Sequence, residues 1–189
     1  AIIMNTSNHK PYTFRAGIPG VKPEGGGRES GVRYADFAQA YLLREARQHR
    51  WFDDTVFVIV ADHGARVYGR EDIPLATYRI PMLIYAPKHI APERVDTLTT
   101  QIDVAPTVLG LLGLPYRAPF FGQDVRHAPR TAERIAFFSH NHDVALLRDG
   151  ELAILGLKQA VRNERYDAAS ATYSPAPADG ELDALAVAY

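Results

Sequence analysis

Two residue types that commonly bind metal ions stand side by side in the first half of the chain, at Asp62 and His63. They follow residues 55–61, a continuous β-branched and aromatic run that is typical of a strand covered on both faces. Asp supplies a hard anionic oxygen and His a neutral imidazole nitrogen, a mixed set that suits zinc, manganese or a related divalent ion. Gly64 follows and lets the backbone turn sharply. The pattern predicts a metal-binding pair.

A purely structural interpretation of the same pair stays open at this point. In it, Asp62 caps the following turn and His63 is a partly buried polar side chain, because short motif matches carry false positives. Position favours the metal interpretation, since ligands collect beyond the carboxyl ends of the strands in an open parallel sheet, where the loops converge.

The elements around the pair predict an α/β fold with a mainly parallel sheet flanked by helices. Residues 32–49 carry apolar or aromatic side chains at three-to-four spacing, as an amphipathic helix does. Residues 80–87 form a second buried strand with prolines at its ends. Residues 1–5 form a short apolar strand that ends in a polar cluster. A helix followed by a buried strand is typical of a parallel sheet.

The C-terminal part predicts a small antiparallel sheet. Its short strands are expected at residues 135–139, 144–148 and 152–155, and Asp149-Gly150 between the last two is a strong tight-hairpin signal.

A helix is expected to begin near Asp103. With Asp103 as its cap, Pro106 lies in the first turn, where the missing N–H is harmless, whereas a cap at Thr100 would place it deeper. Residues 167–179 are rich in Ala, Pro and Asp, and residues 182–189 have the pattern of a helix that starts but does not finish. Residues 166–189 are therefore expected to form a poorly ordered tail. Residues 1–165 would then form the folded domain.

Composition places limits on the function. The chain has 189 residues, 47% of them hydrophobic and 23% charged, and a net charge of -1, so no basic face for nucleic acid is expected. It has no cysteine, which excludes disulfides, thiolate metal sites and a cysteine nucleophile. It begins without an initiator methionine or a signal-peptide layout, which predicts a fragment that enters in the middle of a fold.

Several motifs follow one another along the chain, at residues 6–12, at Tyr34 and Asp36, and at residues 51–64, 80–87, 101–109 and 121–124. In sequence and order they resemble the C-terminal half of a sulfatase-like catalytic domain, in the alkaline phosphatase superfamily. The fold of that superfamily is the expectation for this chain. The Ser-Asn-His-Lys-Pro-Tyr signature looks most like the lipoteichoic acid synthase branch, whose members are phosphoglycerol transferases and related membrane-anchored enzymes.

By this resemblance, Asp62 and His63 match two metal ligands of the family, and His9 matches a catalytic histidine that contacts the phosphoryl group or the leaving oxygen. The resemblance implies manganese as the ion, with zinc or calcium in other branches. It also implies a covalent threonine intermediate, with the threonine and the remaining ligands in an N-terminal half that is absent here. Arg66, in the polar loop after the metal pair, would bind a substrate phosphate.

The resemblance also implies the partners and location of the longer protein. The substrate would be a phosphate or sulfate ester, of a lipid or a glycan, and the longer protein would be anchored in the cytoplasmic membrane and act on its outer side. The fragment itself would be soluble. Two alternatives stay open: a sulfatase that uses a formylglycine upstream, and a non-catalytic remnant that serves as a binding module.

Overall fold

The computed structural model describes residues 1–64, 71–127 and 133–189. These ranges contain helices and two sheets, which confirms the predicted α/β class. The helices are α1 (Gly27–Ala46), α2 (Leu75–Tyr78), α3 (Val104–Leu111) and α4 (Gly180–Ala188). The strands are β1 (Phe57–Val60), β2 (Met82–Tyr85), β3 (Ile135–His140), β4 (Asp143–Arg148), β5 (Glu151–Leu155), β6 (Val161–Asp167) and β7 (Thr172–Pro175).

The chain forms two compact units. The first comprises Ala1–Ile59 and Met82–Ala91, and the second comprises Val60–Pro81 and Pro92–Tyr189.

The first unit contains α1 and the two-stranded sheet of β1 and β2. The helix confirms the prediction for residues 32–49, although it begins earlier, at Gly27. Both predicted strands also form, but they are less covered than their apolar runs suggest, since 54% of Leu83 is exposed. None of the described helices is both long and apolar enough to cross a membrane.

An aromatic cluster connects the end of α1 to this sheet. The ring of Phe52, which is buried, lies 5.4 Å from that of Phe57 and 6.3 Å from that of Tyr85. Arg47 lies over the Phe52 ring and donates a hydrogen bond of 2.7 Å to the Tyr85 hydroxyl. These contacts fix the strand whose end carries the predicted metal pair.

The strand predicted for residues 1–5 does not form. Ile2, Ile3 and Met4 are largely exposed, and the segment pairs with no strand among the described residues. A short apolar segment gains strand structure only through a partner that accepts its backbone hydrogen bonds, and the described chain supplies none for it.

The second unit is built on an antiparallel sheet in the order β3-β4-β5-β6-β7. The three strands predicted from the sequence are β3, β4 and β5. Asp149 and Gly150 form the two-residue turn between β4 and β5, with positive φ values of 51° and 82°. That pair of backbone conformations is the one that Asp-Gly favours in a tight hairpin, so the predicted hairpin is confirmed.

The tail has more structure than its composition suggests. Residues 166–189, predicted to be poorly ordered, include the end of β6, strand β7 and helix α4. The predicted helix start is present, and Asp179 caps it by accepting hydrogen bonds from the N–H groups of Glu181 and Leu182. The antiparallel part therefore has five strands, where the sequence predicts three. The domain limit at residue 165 stays a prediction.

Both faces of the five-stranded sheet are covered. On one face, Leu147, Leu152 and Ile154 pack with Ile73 and Leu75, which belong to the segment after the predicted metal pair. On the other face, the buried residues form a cluster with α4, and they are Leu146, Ala153, Leu182 and Ala186. Because strand side chains alternate between faces, one sheet anchors the α4 helix and the segment around α2 at the same time.

A short helical turn precedes α3. Asp103 directly precedes α3 at the predicted cap position, but its side chain makes no cap hydrogen bond to α3. Instead, it accepts a hydrogen bond of 2.8 Å from the Thr100 N–H, and Thr100 begins the helical segment. Pro106 is tolerated there because the turn from Gln101 to Asp103 is a 3-10 turn and α3 starts only at Val104. Asp103 is buried and also accepts a hydrogen bond from the Gln123 N–H.

Candidate active site

Asp62 and His63 lie just beyond β1, and their side chains approach each other. The Asp62 Oδ2 and His63 Nε2 atoms are 3.7 Å apart, and both side chains are more than three-quarters exposed. The His63 N–H donates a hydrogen bond of 2.9 Å to Asp62 Oδ1. Two metal bonds of about 2.1 Å from one ion can reach atoms up to about 4.2 Å apart, so the pair fits two ligands of a single ion.

The other nitrogen of the His63 ring has a backbone partner. Nδ1 lies 2.8 Å from the carbonyl oxygen of Gly64. A carbonyl can only accept, so this contact places the proton on Nδ1 and leaves the lone pair of Nε2 for a ligand. Metal-binding histidines in proteins usually donate their second N–H in this way, which fixes the orientation of the ring.

Gly64 is required for a different reason from the one that the sequence suggests. Its φ is not positive, so no special turn conformation demands glycine. Instead, a β-carbon at this position would overlap the carbonyl oxygen of Thr77. The close approach of the two backbones places Gly64, which directly follows the metal pair, against Thr77 of α2.

Gln101 contacts the backbone of the predicted metal pair and was not singled out from the sequence. Its Nε2 donates hydrogen bonds of 3.2 Å to the Ala61 carbonyl and of 2.6 Å to the Asp62 carbonyl. These residues are about 40 positions apart. Only the place of Gln101 in the motif of residues 101–109 could have drawn attention to it.

Residues 72–75, which precede and begin α2, are attached to the five-stranded sheet. The Tyr173 hydroxyl accepts a hydrogen bond of 2.8 Å from the Leu75 N–H and donates one of 2.8 Å to the Ile73 carbonyl. Asp72 forms an ion pair with Arg162 of β6. Arg66, predicted to bind substrate, lies outside the described residues, and its role stays a prediction.

His9 belongs to the first unit, whereas Asp62 and His63 belong to the second. Its role in the same site therefore stays a prediction. The His9 side chain is exposed and its Nδ1 lies 3.0 Å from the carbonyl oxygen of Lys10, which leaves Nε2 available, as in His63. The loop packs closely on α1, since a β-carbon at Gly31 would meet Asn8 Oδ1 at 3.2 Å.

The described residues contain no group of three or more His, Cys, Asp or Glu side chains that could hold a metal ion. The carboxylate and imidazole of the pair fit a divalent ion by their chemistry and their spacing, but two protein ligands are fewer than catalytic metal sites normally use. His140 and His142, a second pair with ligand spacing, offer no such site. His140 ends β3 with its Nδ1 3.3 Å from the Tyr78 hydroxyl, and His142 lies in the following turn.

Residues 7–114, more than half of the chain, match the sulfatase family model. The chain therefore belongs to the sulfatase family. The match includes His9, Asp62, His63 and Gln101 and ends just after α3.

Individual relatives are also similar to this chain. It is 26% identical over 117 residues to a lipoteichoic acid synthase-like protein, YvgJ, of Bacillus subtilis (strain 168). That match covers 53% of this chain and 19% of the Bacillus protein. A crystal structure of an alkaline phosphatase superfamily protein from Vibrio parahaemolyticus has a TM-score of 0.85 at 31% identity, over 96% of this chain and 46% of that one. The resemblance inferred from the motifs is confirmed.

A third relative shows the fold alone. The crystal structure named Ps i-CgsB has a TM-score of 0.57 at 19% identity, and the match covers 72% of this chain and 35% of that chain. The chain thus spans less than half the length of each of these relatives.

Proposed function

We propose that this chain is the metal-binding part of an enzyme that transfers phosphoryl or phosphoglycerol groups. The observation that carries the proposal is the pair at the end of β1, with Asp62 Oδ2 and His63 Nε2 3.7 Å apart and the ring proton directed to the Gly64 carbonyl. The similarity to a lipoteichoic acid synthase-like protein supports phosphoglycerol transfer over other reactions of the family.

The residues of this chain have separate roles in the proposal. Asp62 and His63 hold a divalent ion, which would neutralise charge on the phosphoryl oxygens and make a coordinated hydroxyl a better nucleophile. His9 would donate a hydrogen bond to a phosphoryl oxygen or protonate the leaving oxygen. Arg66 would pair with the substrate phosphate.

A further segment of a longer protein completes the site. It would supply the acidic ligand and a threonine that attacks phosphorus, giving a covalent threonine intermediate before transfer to water or an acceptor hydroxyl. Manganese is the proposed ion, although an Asp and His pair would also accept zinc. The proposed substrate is a phosphate ester of a lipid or glycan, and the proposed location of the longer protein is the outer side of the cytoplasmic membrane.

The test uses the full-length protein that carries this chain, assayed with an aryl phosphodiester and an aryl sulfate in the presence of Mn²⁺. We expect turnover of the phosphodiester, and a loss of at least about a hundredfold in Asp62→Asn because the ion loses an anionic ligand. Asp96→Asn is the matched control, since it makes the same change at another exposed aspartate, paired with Arg94.

Each alternative gives a different result in this assay. Turnover of the sulfate ester alone would favour the sulfatase. No turnover of either ester, with Asp62→Asn behaving like Asp96→Asn in metal binding, would favour a non-catalytic binding module and contradict the proposal.

A further inference from the structure

Gln101 occupies an unusual position beside the predicted metal pair. Its single amide group donates to two successive carbonyl groups, those of Ala61 and Asp62, at 3.2 and 2.6 Å. The backbone at Asp62 connects directly to both ligand side chains, since Asp62 carries one and His63 follows it. A donor that holds these carbonyls therefore restricts the direction in which both side chains leave the backbone.

Gln101 itself is held in place by its own surroundings. It is the first residue of the 3-10 turn that precedes α3, and the next residue but one is Asp103. The Asp103 carboxylate is buried and accepts hydrogen bonds from the N–H groups of Thr100 and Gln123, at 2.8 and 2.7 Å. The turn that carries Gln101 is thus held by a buried carboxylate, and the Gln101 amide links that turn to the backbone of the pair.

Within the described part of the chain, the pair has few other restraints of this kind. Asp62 and His63 are largely exposed, and the side-chain contacts that the described residues give them are with each other and with Gly64. Two further restraints near the pair are the hydrogen bond from the Ala61 N–H to the Pro81 carbonyl, at 3.4 Å, and the close packing of Gly64 on Thr77. Neither of these contacts reaches the Asp62 carbonyl.

We propose that Gln101 is a positioning residue, which holds the backbone of Ala61 and Asp62 so that Asp62 and His63 present Oδ2 and Nε2 to one metal ion. This role rests on the proposed function. Hydrogen bonds that orient metal ligands without touching the ion typically strengthen metal binding by about 10–100-fold.

The test compares Gln101→Met with the unchanged 189-residue chain. The methionine side chain is nearly as long as that of glutamine but has no N–H donor. Two quantities are measured by NMR: amide hydrogen exchange at His63 without metal, and the dissociation constant for Mn²⁺ from paramagnetic broadening of the His63 and Gly64 signals. In Gln101→Met we expect faster amide exchange at His63 and a dissociation constant for Mn²⁺ that is at least about tenfold larger.

Gln48→Met is the matched control, because Gln48 is also exposed and the described partner of its amide is Glu45 on α1. It should change neither quantity. The denaturation midpoint of each variant is measured as well, because a purely structural role would lower the midpoint of Gln101→Met without changing Mn²⁺ binding under conditions where the protein is folded.

The possible failures are distinguishable. If Mn²⁺ broadens His63 in the unchanged chain and not in Asp62→Asn, the metal pair is real. Unchanged exchange and an unchanged dissociation constant in Gln101→Met would then overturn the role of Gln101 alone. If Asp62→Asn binds Mn²⁺ as the unchanged chain does, the metal pair itself is wrong, and the positioning role of Gln101 falls with it.

Discussion

At Gly64, a β-carbon would overlap the carbonyl oxygen of Thr77, which belongs to backbone and cannot rotate away as a side chain can. A larger residue at position 64 must therefore displace either the backbone next to His63 or the backbone at Thr77. Gly180, by contrast, has open space around its β-carbon position at the start of α4. These two glycines give a matched comparison of a crowded and an open position.

We predict that Gly64→Ala lowers the free energy of unfolding by about 1–3 kcal/mol, the usual cost of overpacking. It should also weaken Mn²⁺ binding, because the backbone next to His63 has to shift. Gly180→Ala should be neutral or stabilising, since alanine has the higher helix propensity. Urea denaturation followed by circular dichroism measures the first effect. Equal stability of the two variants would contradict the packing argument.

At the residue scale, the sequence predicts which residue types can bind a metal but not the contacts that orient them. Asp62 and His63 stand out because they follow a buried run and are followed by glycine. Gln101 does not stand out, because a glutamine at the start of a helical segment is common and its hydrogen bonds reach about 40 residues back along the chain. Such a contact depends on tertiary structure, which local patterns do not encode.

At the element scale, the five-stranded sheet holds the segment that contains α2 by apolar packing, by the Asp72–Arg162 ion pair and by the hydroxyl group of one tyrosine. Tyr173 on β7 bridges the Ile73 carbonyl and the Leu75 N–H, and burial raises the pKa of its hydroxyl. Tyr166 on β6 packs 4.9 Å away, and its hydroxyl is buried without a hydrogen-bond partner among the described residues. The two tyrosines differ in what their hydroxyl groups do.

We predict that Tyr173→Phe destabilises the second unit by about 1–3 kcal/mol, because it leaves the Leu75 N–H without its acceptor. Tyr166→Phe should be neutral or stabilising, since its hydroxyl is buried at a cost and gains no hydrogen bond. Chemical denaturation of both variants, side by side, measures the difference. A larger loss in Tyr166→Phe than in Tyr173→Phe would contradict the assignment of these hydroxyl groups.

The stability contributed by the cap at the N-terminus of α4 depends on pH. Hydrogen bonds from the backbone N–H groups of Leu182 and Glu181, together with the charge of Arg148, hold the pKa of Asp179 below its ordinary value. A carboxylate with a lowered pKa in the folded state stabilises the fold above the ordinary pKa of 3.8, and this contribution disappears as the pH falls through the lowered value.

We predict that the unchanged chain is more stable than Asp179→Asn near neutral pH, because asparagine keeps an acceptor oxygen but not the charge. This advantage should shrink as the pH falls below about 4 and the carboxylate of Asp179 becomes protonated. Urea denaturation at a series of pH values measures it. An advantage that stays constant or grows on acidification would contradict the pKa argument.

The elements with a strong local signal were predictable, and those that depend on pairing were not. The Asp149-Gly150 turn requires two positive φ values, which few other dipeptides adopt, and its hairpin was predicted correctly. Strand β6 carries mostly polar and charged residues, and β7, at the edge of the sheet, is short and ends in proline, so composition concealed both strands. Residues 1–5 show the converse error, since an apolar segment remained unpaired.

At the scale of the whole molecule, the chain covers only part of its relatives, and the described residues hold two candidate ligands for one ion. Two ligands leave most of a coordination sphere to water, which reduces both metal affinity and the preorganisation of the site. Without the proposed threonine, there is no covalent intermediate. Activity should therefore depend on a segment outside these 189 residues.

We predict that the purified 189-residue chain gives no turnover above buffer with an aryl phosphodiester or an aryl sulfate, whether Mn²⁺, Zn²⁺ or Ca²⁺ is added. The comparison is with its Asp62→Ala variant under the same conditions. Turnover well above buffer that disappears in Asp62→Ala would show a complete site within the chain and contradict this account.

The central claim is that Asp62 and His63 together hold a divalent ion. The most direct measurement is a crystal of the 189-residue chain soaked in Mn²⁺, with anomalous diffraction used to locate the ion. We predict a manganese peak about 2.1–2.3 Å from both Asp62 Oδ2 and His63 Nε2. The absence of a peak at this pair, at Mn²⁺ concentrations that give ordered peaks elsewhere on the molecule, would contradict the claim.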